Sequence, residues 1–478
     1  MVKTNQEPSC TRNRGAFSLI LRNLIKNELF SGLKDAFNVC AFILSPNVRL
    51  VRGQVHSAVF EFTTERVFWV NASVANFLEF CSSPRQFEEL MSFSTLNEKQ
   101  IYELITSLVH YNILKAQSSQ IPIVENYPLN YDELPLEQVW AELTLQCNLK
   151  CVHCYANAQN ELLKPLPLSF WESAFQQINE KGCSLLQLTG GEPFLHPQFW
   201  EIAEVARKIL PDSQIEIFSN GTLITPEIAS KIAKLGFQVA ISVHGYTEDV
   251  HESITCVSGS FQKVLNGLQA LQEANISTRT ECIVLDSSLL NLNFVSNYIS
   301  FIKSKYTNIK VGPPRPALPI GRLNKTLCPP ENNPLQVPRF LINHTKFLEN
   351  TSINPCWGRR CAILANGDLV PCIFARNLKF GSLKSNSLNF KQLFLKQDFR
   401  MITKTQVSIC QDCEFRFLCH DCRALASAIC GSLYSGSPSC AYDPQKGTWK
   451  TSDMPTMTNS SPDIILLKNH SFTPLEKL

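Results

Sequence analysis

Apolar residues near the start of the chain recur at helical spacing. Phe17, Ile20, Leu21, Leu24, Ile25 and Phe30 alternate with Arg22, Lys26 and Lys34, which predicts an amphipathic helix in an N-terminal extension, residues 1–40. Glu28 and Asp35 dilute its basic face, so the helix is expected to dock on its own protein, not on a membrane. The period then shortens. Asn47–Arg52, Ala58–Thr63 and Arg66–Asn71 read as three strands rich in Val, with Phe and Trp in the last two. Helices are predicted over Ser73–Phe80, Pro84–Met91 and Asn97–Leu114, the last with Ile101, Leu104, Ile105 and Leu108 on one face. Residues 41–116 therefore form a small α+β module of winged-helix-like order. Residues 117–136, with Pro122, Pro128 and Pro135, read as a linker.

From residue 137 to 335 the pattern alternates. Strands are expected at 138–145, 184–188, 214–218, 237–243, 277–285 and 308–311, with helices such as Phe170–Glu180, Phe199–Ile209 and Phe261–Glu273 between them. Such an order predicts an α/β domain with a parallel sheet, open or curled into a partial (β/α)6 barrel. Ligands of such sheets bind beyond the carboxyl ends of the strands. Residues 336–450 lack long apolar runs and are dense in cysteine, so a metal is expected to order them. Residues 451–478 read as a mobile polar tail with one apolar patch, Ile464–Leu467.

Composition narrows the function. Hydrophobic residues make up 44% of the 478 positions, ample for sizeable cores. A net charge of +3 is too weak to argue for nucleic acid or a membrane surface, and neither is expected as a partner. No run approaches the roughly 18 apolar residues of a spanning helix. Phe17–Leu21, cut short by Arg22, is no secretory core, so a cytoplasmic location is expected. The 19 cysteines then read as metal ligands or redox groups where they fall at short fixed spacings.

The first such group, Cys147-x3-Cys151-x2-Cys154, follows the first strand of the alternating region. Either His153 completes a four-ligand zinc site, or three thiolates hold a cubane cluster with one iron left open to a small molecule. After the second strand comes Thr189-Gly190-Gly191-Glu192-Pro193. Its glycines let the backbone approach a ligand, and Glu192 can accept from an ammonium. The third strand ends in Ser219-Asn220-Gly221-Thr222 and the fourth in Ser242-Val243-His244-Gly245. Further on, Cys356-x4-Cys361-x10-Cys372 spans a turn at Asn366-Gly367-Asp368, and Cys410-x2-Cys413-x5-Cys419-x2-Cys422 precedes Cys440. By spacing alone these make two four-ligand sets that suit zinc or iron–sulfur equally.

Taken together, the motifs over about 137–320 resemble those of the radical S-adenosylmethionine (SAM) superfamily. The resemblance implies a [4Fe-4S] cluster on Cys147, Cys151 and Cys154, and SAM held by Gly190, Gly191, Glu192, Pro193, Asn220 and Ser242. His244 stands where many relatives have an acidic residue. The later cysteines resemble a SPASM domain, although Cys419 and Cys422 are one residue closer than that pattern has them. Two auxiliary [4Fe-4S] clusters are thereby implied, one on Cys356, Cys361, Cys372 and Cys422, the other on Cys410, Cys413, Cys419 and Cys440. The order of elements in 41–116 resembles a PqqD-like peptide-recognition domain, where a leader peptide adds a strand to the sheet edge.

The implied activity is that of a peptide (RiPP) maturase. The cluster would pass an electron to SAM, and a 5′-deoxyadenosyl radical would abstract hydrogen from a ribosomally made precursor peptide. A thioether or C–C crosslink is the expected product, and a flavodoxin or ferredoxin the expected electron donor. Sulfatase-type maturation is disfavoured, since Ile373 follows Cys372 where that branch has an acidic residue. A small-molecule substrate and a non-enzymatic zinc scaffold are the alternatives. No catalytic side chain is assigned.

Overall fold

A computed structural model describes residues 37, 40–117, 130–158, 163–285, 291–323, 335–384, 389–395, 398–420, 422–452, 454–457, 463–468 and 471–474. The expected N-terminal helix and most of the linker, residues 118–129, lie outside them.

The N-terminal module runs β1 (Ala41–Leu44), β2 (Val48–Arg52), β3 (Ser57–Glu61), β4 (Arg66–Val70), α1 (Ala72–Phe80), β5 (Arg85–Gln86), α2 (Phe87–Phe93), α3 (Glu98–His110) and β6 (Leu114–Gln117). The strands β1, β5 and β6 were not foreseen; they form a separate small sheet. The second predicted helix starts later, because Arg85 and Gln86 pair with β1 and Gln86 then caps α2 in a capping box with Glu89. The β2–β3–β4 meander is buried on both faces. Val59, Phe68 and Val70 pack beneath the three helices, while Phe60, Val67 and Trp69 pack against Phe347, Phe415 and Tyr442 of the cysteine-rich domain. That double burial explains the continuous apolar runs of β3 and β4.

The central domain alternates as its sequence predicts: β7 (Leu136–Glu142), α4 (Leu168–Lys181), β8 (Cys183–Thr189), α5 (Phe199–Ile209), β9 (Gln214–Ser219), α6 (Pro226–Leu235), β10 (Gln238–Ser242), α7 (Glu248–Thr255), α8 (Ser260–Glu273), β11 (Thr278–Glu281), β12 (Ile283–Val284), α9 (Leu292–Lys305), β13 (Ile309–Val311) and β14 (Arg315–Pro316). Local chemistry sets these boundaries. At α6, Thr225 caps the Ile228 N–H, Pro226 opens the first turn, and Gly236 closes the helix with a left-handed φ of 64°. The helix α4 buries Trp171, Ala174, Phe175 and Ile178, one face at i, i+3, i+4 and i+7. The six strands from β7 to β13 are parallel in the order 13-11-10-9-8-7, a curled, partial barrel.

The barrel sheet does not stop at β7. After α10 (His344–Ser352), the strand β15 (Arg360–Ile363) adds to β7 in parallel, followed by antiparallel β16 (Asp368–Val370) and β17 (Gly381–Ser382), giving nine strands. The rest comprises α11 (Phe390–Leu395), α12 (Arg423–Cys430), β18 (Tyr442–Asp443) and β19 (Thr448–Trp449). The tail departs from expectation. Its patch forms β20 (Ile464–Lys468), which pairs antiparallel with β4 and continues to β21 (Ser471–Pro474). Ile464 to Leu467 are buried there, so hydrophobic burial fixes a segment that polar flanking sequence marks as mobile. No helix among the described residues is long and apolar enough to cross a membrane.

Candidate active site

The carboxyl ends of the barrel strands surround a cavity of about 370 Å³. Cys147, Cys151 and Cys154 line it, together with Gly190, Gly191, Asn220 and Ser242. The sequence-predicted residues thus converge, apart from Glu192 and Pro193, which stand buried behind the wall. Both glycines are needed where they are. A Cβ on Gly190 would stand 2.5 Å from the Thr144 carbonyl oxygen, and one on Gly191 would strike the Gln146 carbonyl. The same backbone donates from Gly191 N to Thr144 O (2.7 Å) and from Glu192 N to Gln146 O (2.8 Å), fixing the loop to the start of the cysteine segment.

Glu192 braces the next loop. Its carboxylate accepts from Ser219 Oγ (2.8 Å) and Asn220 N (2.9 Å). Burial pushes its carboxyl up to about 7, against these donors. Asn220 Nδ2 reaches Asn148 Oδ1 (2.9 Å), and Asn148 Nδ2 reaches Thr222 Oγ1 (2.7 Å), so the third strand's loop is tied to the cysteine segment.

The donor set fits a cluster. Burial pushes the Cys147 thiol up to about 11 and Cys151 to about 12, and the neighbouring thiols add to the rise. Three soft sulfur donors on one wall of the cavity are the ligand type an iron–sulfur cluster takes, and bound iron would hold them as thiolates against that burial. Among the described residues no three His, Cys, Asp or Glu side chains gather tightly enough for a single metal ion; a cubane instead takes its thiolates on separate corners. Beside them, His153 Nδ1 is buried without a hydrogen-bond partner. Its ring meets His244 edge-on, centroids 4.6 Å apart. His244 Nδ1 accepts from Ile283 N (3.3 Å), and the His244 backbone N–H donates to His251 Nδ1 (3.1 Å). Burial holds His153 and His251 down at about 4 and His244 well below its ordinary value, so all three are neutral at pH 7.

Several contributors escaped the sequence motifs. Arg322 clamps the cysteine segment, donating to Cys151 O (2.6 Å), Ala158 O (2.7 Å) and Asn157 Oδ1 (3.2 Å). Gly321 before it has φ 74° and packs against the Cys154 and Tyr155 carbonyls, so the Gly-Arg pair was the available signal. Across the barrel, Arg279 bonds Glu216 (2.7 Å) and Glu281, and Gln187 also donates to Glu216. At the far rim, Arg376 pairs with the fully buried Glu142.

The later cysteines separate into two groups, with one correction. Cys356, Cys372 and Cys422 pack in one cluster, and burial pushes Cys372 up to about 12, with Cys356 and Cys422 next to it raising it further. Cys361 is not among them. It lies on β15 opposite Val139, fully buried in the barrel's hydrophobic core, with Cys183 as its thiol neighbour. The strand pairing turns it inward, so the expected fourth ligand is absent from this group. Cys410, Cys413, Cys419 and Cys440 do gather: Cys413 is raised by burial and by Cys419 and Cys410, and Cys419 by burial and by Cys440 and Cys410. The residues Trp140, Ile320 and Phe374 both pack on the first group and line the cavity.

Residues 142–287 match the Radical SAM superfamily, and residues 356–414 match the SPASM iron–sulfur cluster-binding domain. Among similar proteins, an AdoMet-dependent heme synthase of Methanosarcina barkeri is 24% identical, covering 64% of this chain and 96% of its own. The subtilosin biosynthesis protein AlbA of Bacillus subtilis is 26% identical over 44% of each chain. The mycofactocin maturase MftC of Mycobacterium tuberculosis is 30% identical, covering 34% of this chain and 40% of its own.

Proposed function

We propose, for a chain that is a radical SAM enzyme with a SPASM domain behind its barrel, that it matures a ribosomally made precursor peptide, forming a thioether or C–C crosslink. SAM and a [4Fe-4S] cluster are the cofactors of its radical SAM domain, and auxiliary iron–sulfur clusters those of its SPASM domain. Bound together, cluster and SAM supply a 5′-deoxyadenosyl radical able to take hydrogen from an unactivated C–H bond.

The chain's own residues do the rest. Cys147, Cys151 and Cys154 would hold the cluster, and the bare Gly190–Gly191 backbone beside them would let SAM approach. Glu192 keeps that wall rigid through Ser219 and Asn220. Asn220 and Ser242 offer polar contacts from the third and fourth strands. Trp140, Leu318 and Phe374 give the cavity apolar walls, and water kept from such walls would spare a reactive intermediate. Cys410, Cys413, Cys419 and Cys440 would hold one auxiliary cluster, and Cys356, Cys372 and Cys422 would supply three donors to another. A flavodoxin or ferredoxin would deliver electrons.

The observation that carries the peptide reading is the N-terminal α+β module, seated on the cysteine-rich domain through Trp69, Phe347 and Phe415. A small-molecule enzyme needs no such appendage, and two of the similar proteins are a bacteriocin biosynthesis protein and a maturase. The test is anaerobic incubation of the reconstituted chain with SAM, dithionite and synthetic peptides covering any short open reading frame that flanks its gene. The product is expected to be lighter by two hydrogens, with 5′-deoxyadenosine formed. Deoxyadenosine without any mass change would remove the crosslink. The heme synthase likeness favours a second reading, modification of a small molecule; there, the peptide would not stimulate SAM cleavage.

A further inference from the structure

The five-stranded sheet of the N-terminal module is completed by a strand from the far end of the chain. β20 pairs with β4, Ile464 opposite Val70 and Leu467 opposite Val67, and its other neighbour is β21. Ile464 and Leu466 enter the core beneath α1–α3, whereas Ile465 and Leu467 enter the core against the cysteine-rich domain. None of the four is more than 6% exposed. Alternation along a strand sends two side chains each way, and here both destinations are apolar. The body of the module, residues 41–117, is otherwise continuous in sequence and supplies nearly all of the core beneath α1–α3, to which the tail adds Ile464 and Leu466. A strand held this way, by main-chain pairing and side-chain pockets, has the attributes of a bound peptide.

We propose that β20 is an exchangeable occupant of the β4 edge. In the resting chain it closes the edge; an extended segment of the substrate peptide displaces it and takes its register. This rests on the peptide reading above and adds a selectivity rule. The incoming segment must carry apolar side chains at four successive positions, since a strand alternating apolar and polar residues would bury polar groups in one of the two cores. A tethered occupant also competes at a high effective concentration, so only peptides that fill both cores displace it.

Two measurements on the full-length, cluster-loaded chain test this. In hydrogen exchange read by mass spectrometry, residues 464–468 are expected to exchange at least about 100-fold faster than residues 57–61, because the tail opens without global unfolding. Equal protection of the two segments would make β20 an integral strand and overturn the proposal. In the second, the double variant Ile465→Lys/Leu467→Lys cannot seat its own strand. A fluorescein-labelled synthetic peptide with the sequence of residues 462–475 is expected to bind it at least about tenfold more tightly than it binds the wild-type chain. The same peptide with lysine in place of Ile464 and Leu466 is expected not to bind. Equal binding of the first peptide by both chains overturns the proposal. Neither measurement involves turnover, so their failure counts against strand exchange alone, whereas the mass-shift assay judges the peptide reading.

Discussion

Arg322→Ala isolates the clamp on the cysteine segment from the cysteines themselves. The guanidinium donates at 2.6 Å to Cys151 O, at 2.7 Å to Ala158 O and at 3.2 Å to Asn157 Oδ1. Hydrogen bonds to charged groups contribute about 1.5–3 kcal/mol each. The site is half-buried, so the lower figure applies, and the two short bonds to carbonyls together hold the segment by about 3 kcal/mol. That is on the order of a 150-fold shift toward disordered cysteine geometry. Arg322→Lys keeps the charge but loses the fork, and is expected to retain about half of this energy. Iron analysis of anaerobically reconstituted protein is the assay. With three four-iron clusters the wild type holds about twelve irons, and Arg322→Ala is expected to hold about eight. The electron paramagnetic signal of the reduced chain should also lose its response to added SAM. A full iron complement with an unchanged SAM response would refute the clamp.

Cys361→Ala should leave iron content unchanged and cost about 1 kcal/mol from the small core cavity, whereas Cys356→Ala should lose up to about four irons; iron analysis of the pair checks that Cys361 is a core residue and Cys356 a ligand. Arg376→Ala strands the buried Glu142 carboxylate and is expected to lower stability by about 3 kcal/mol, with Glu142→Gln/Arg376→Ala recovering more than half, read from urea unfolding midpoints. The neutral histidines predict an acid limit. His153 and His251 titrate at about 4 when folded against an ordinary value of 6.5, so the unfolded chain binds more protons between these values and stability falls as pH drops below about 6.5. Each histidine should remove about 2 kcal/mol between pH 8 and pH 5, and His251→Phe should flatten the urea-denaturation profile over that range by one such share.

The barrel was legible because its signals are local. Each strand is a short apolar run, each helix a 3.6-residue stripe, and the cysteine, glycine and Asn220 motifs sit at successive strand ends. What escaped depends on distant partners. Cys361 reads as a ligand by spacing, yet Cys361-Ala-Ile-Leu364 is also an apolar strand, and its pairing with β7, more than two hundred residues earlier, decides which way the thiol turns. Ile464–Leu467 carried its own clue, since four apolar residues in a row need burial on both faces, but nothing nearby in sequence identifies β4 as the partner. Arg322 looks like any surface arginine until the chain returns it to Cys151. Glu192 was found by motif, but its placement behind the wall follows from Ser219 and Asn220, which lie a whole β/α unit away.

The hydrogen-bonded seam between β7 and β15 sets a rule for anyone recombining these modules. β7 leads directly into the cysteine segment, and Arg360 of β15 is ion-paired to Glu137 of β7. A chimera spliced in the connecting region would pair a foreign edge with the native one, and a slip of a single residue would turn Cys361 out of the core and shear the rim at Glu142. Exchange of C-terminal halves between relatives therefore has to carry both sides of that seam as a single inheritance.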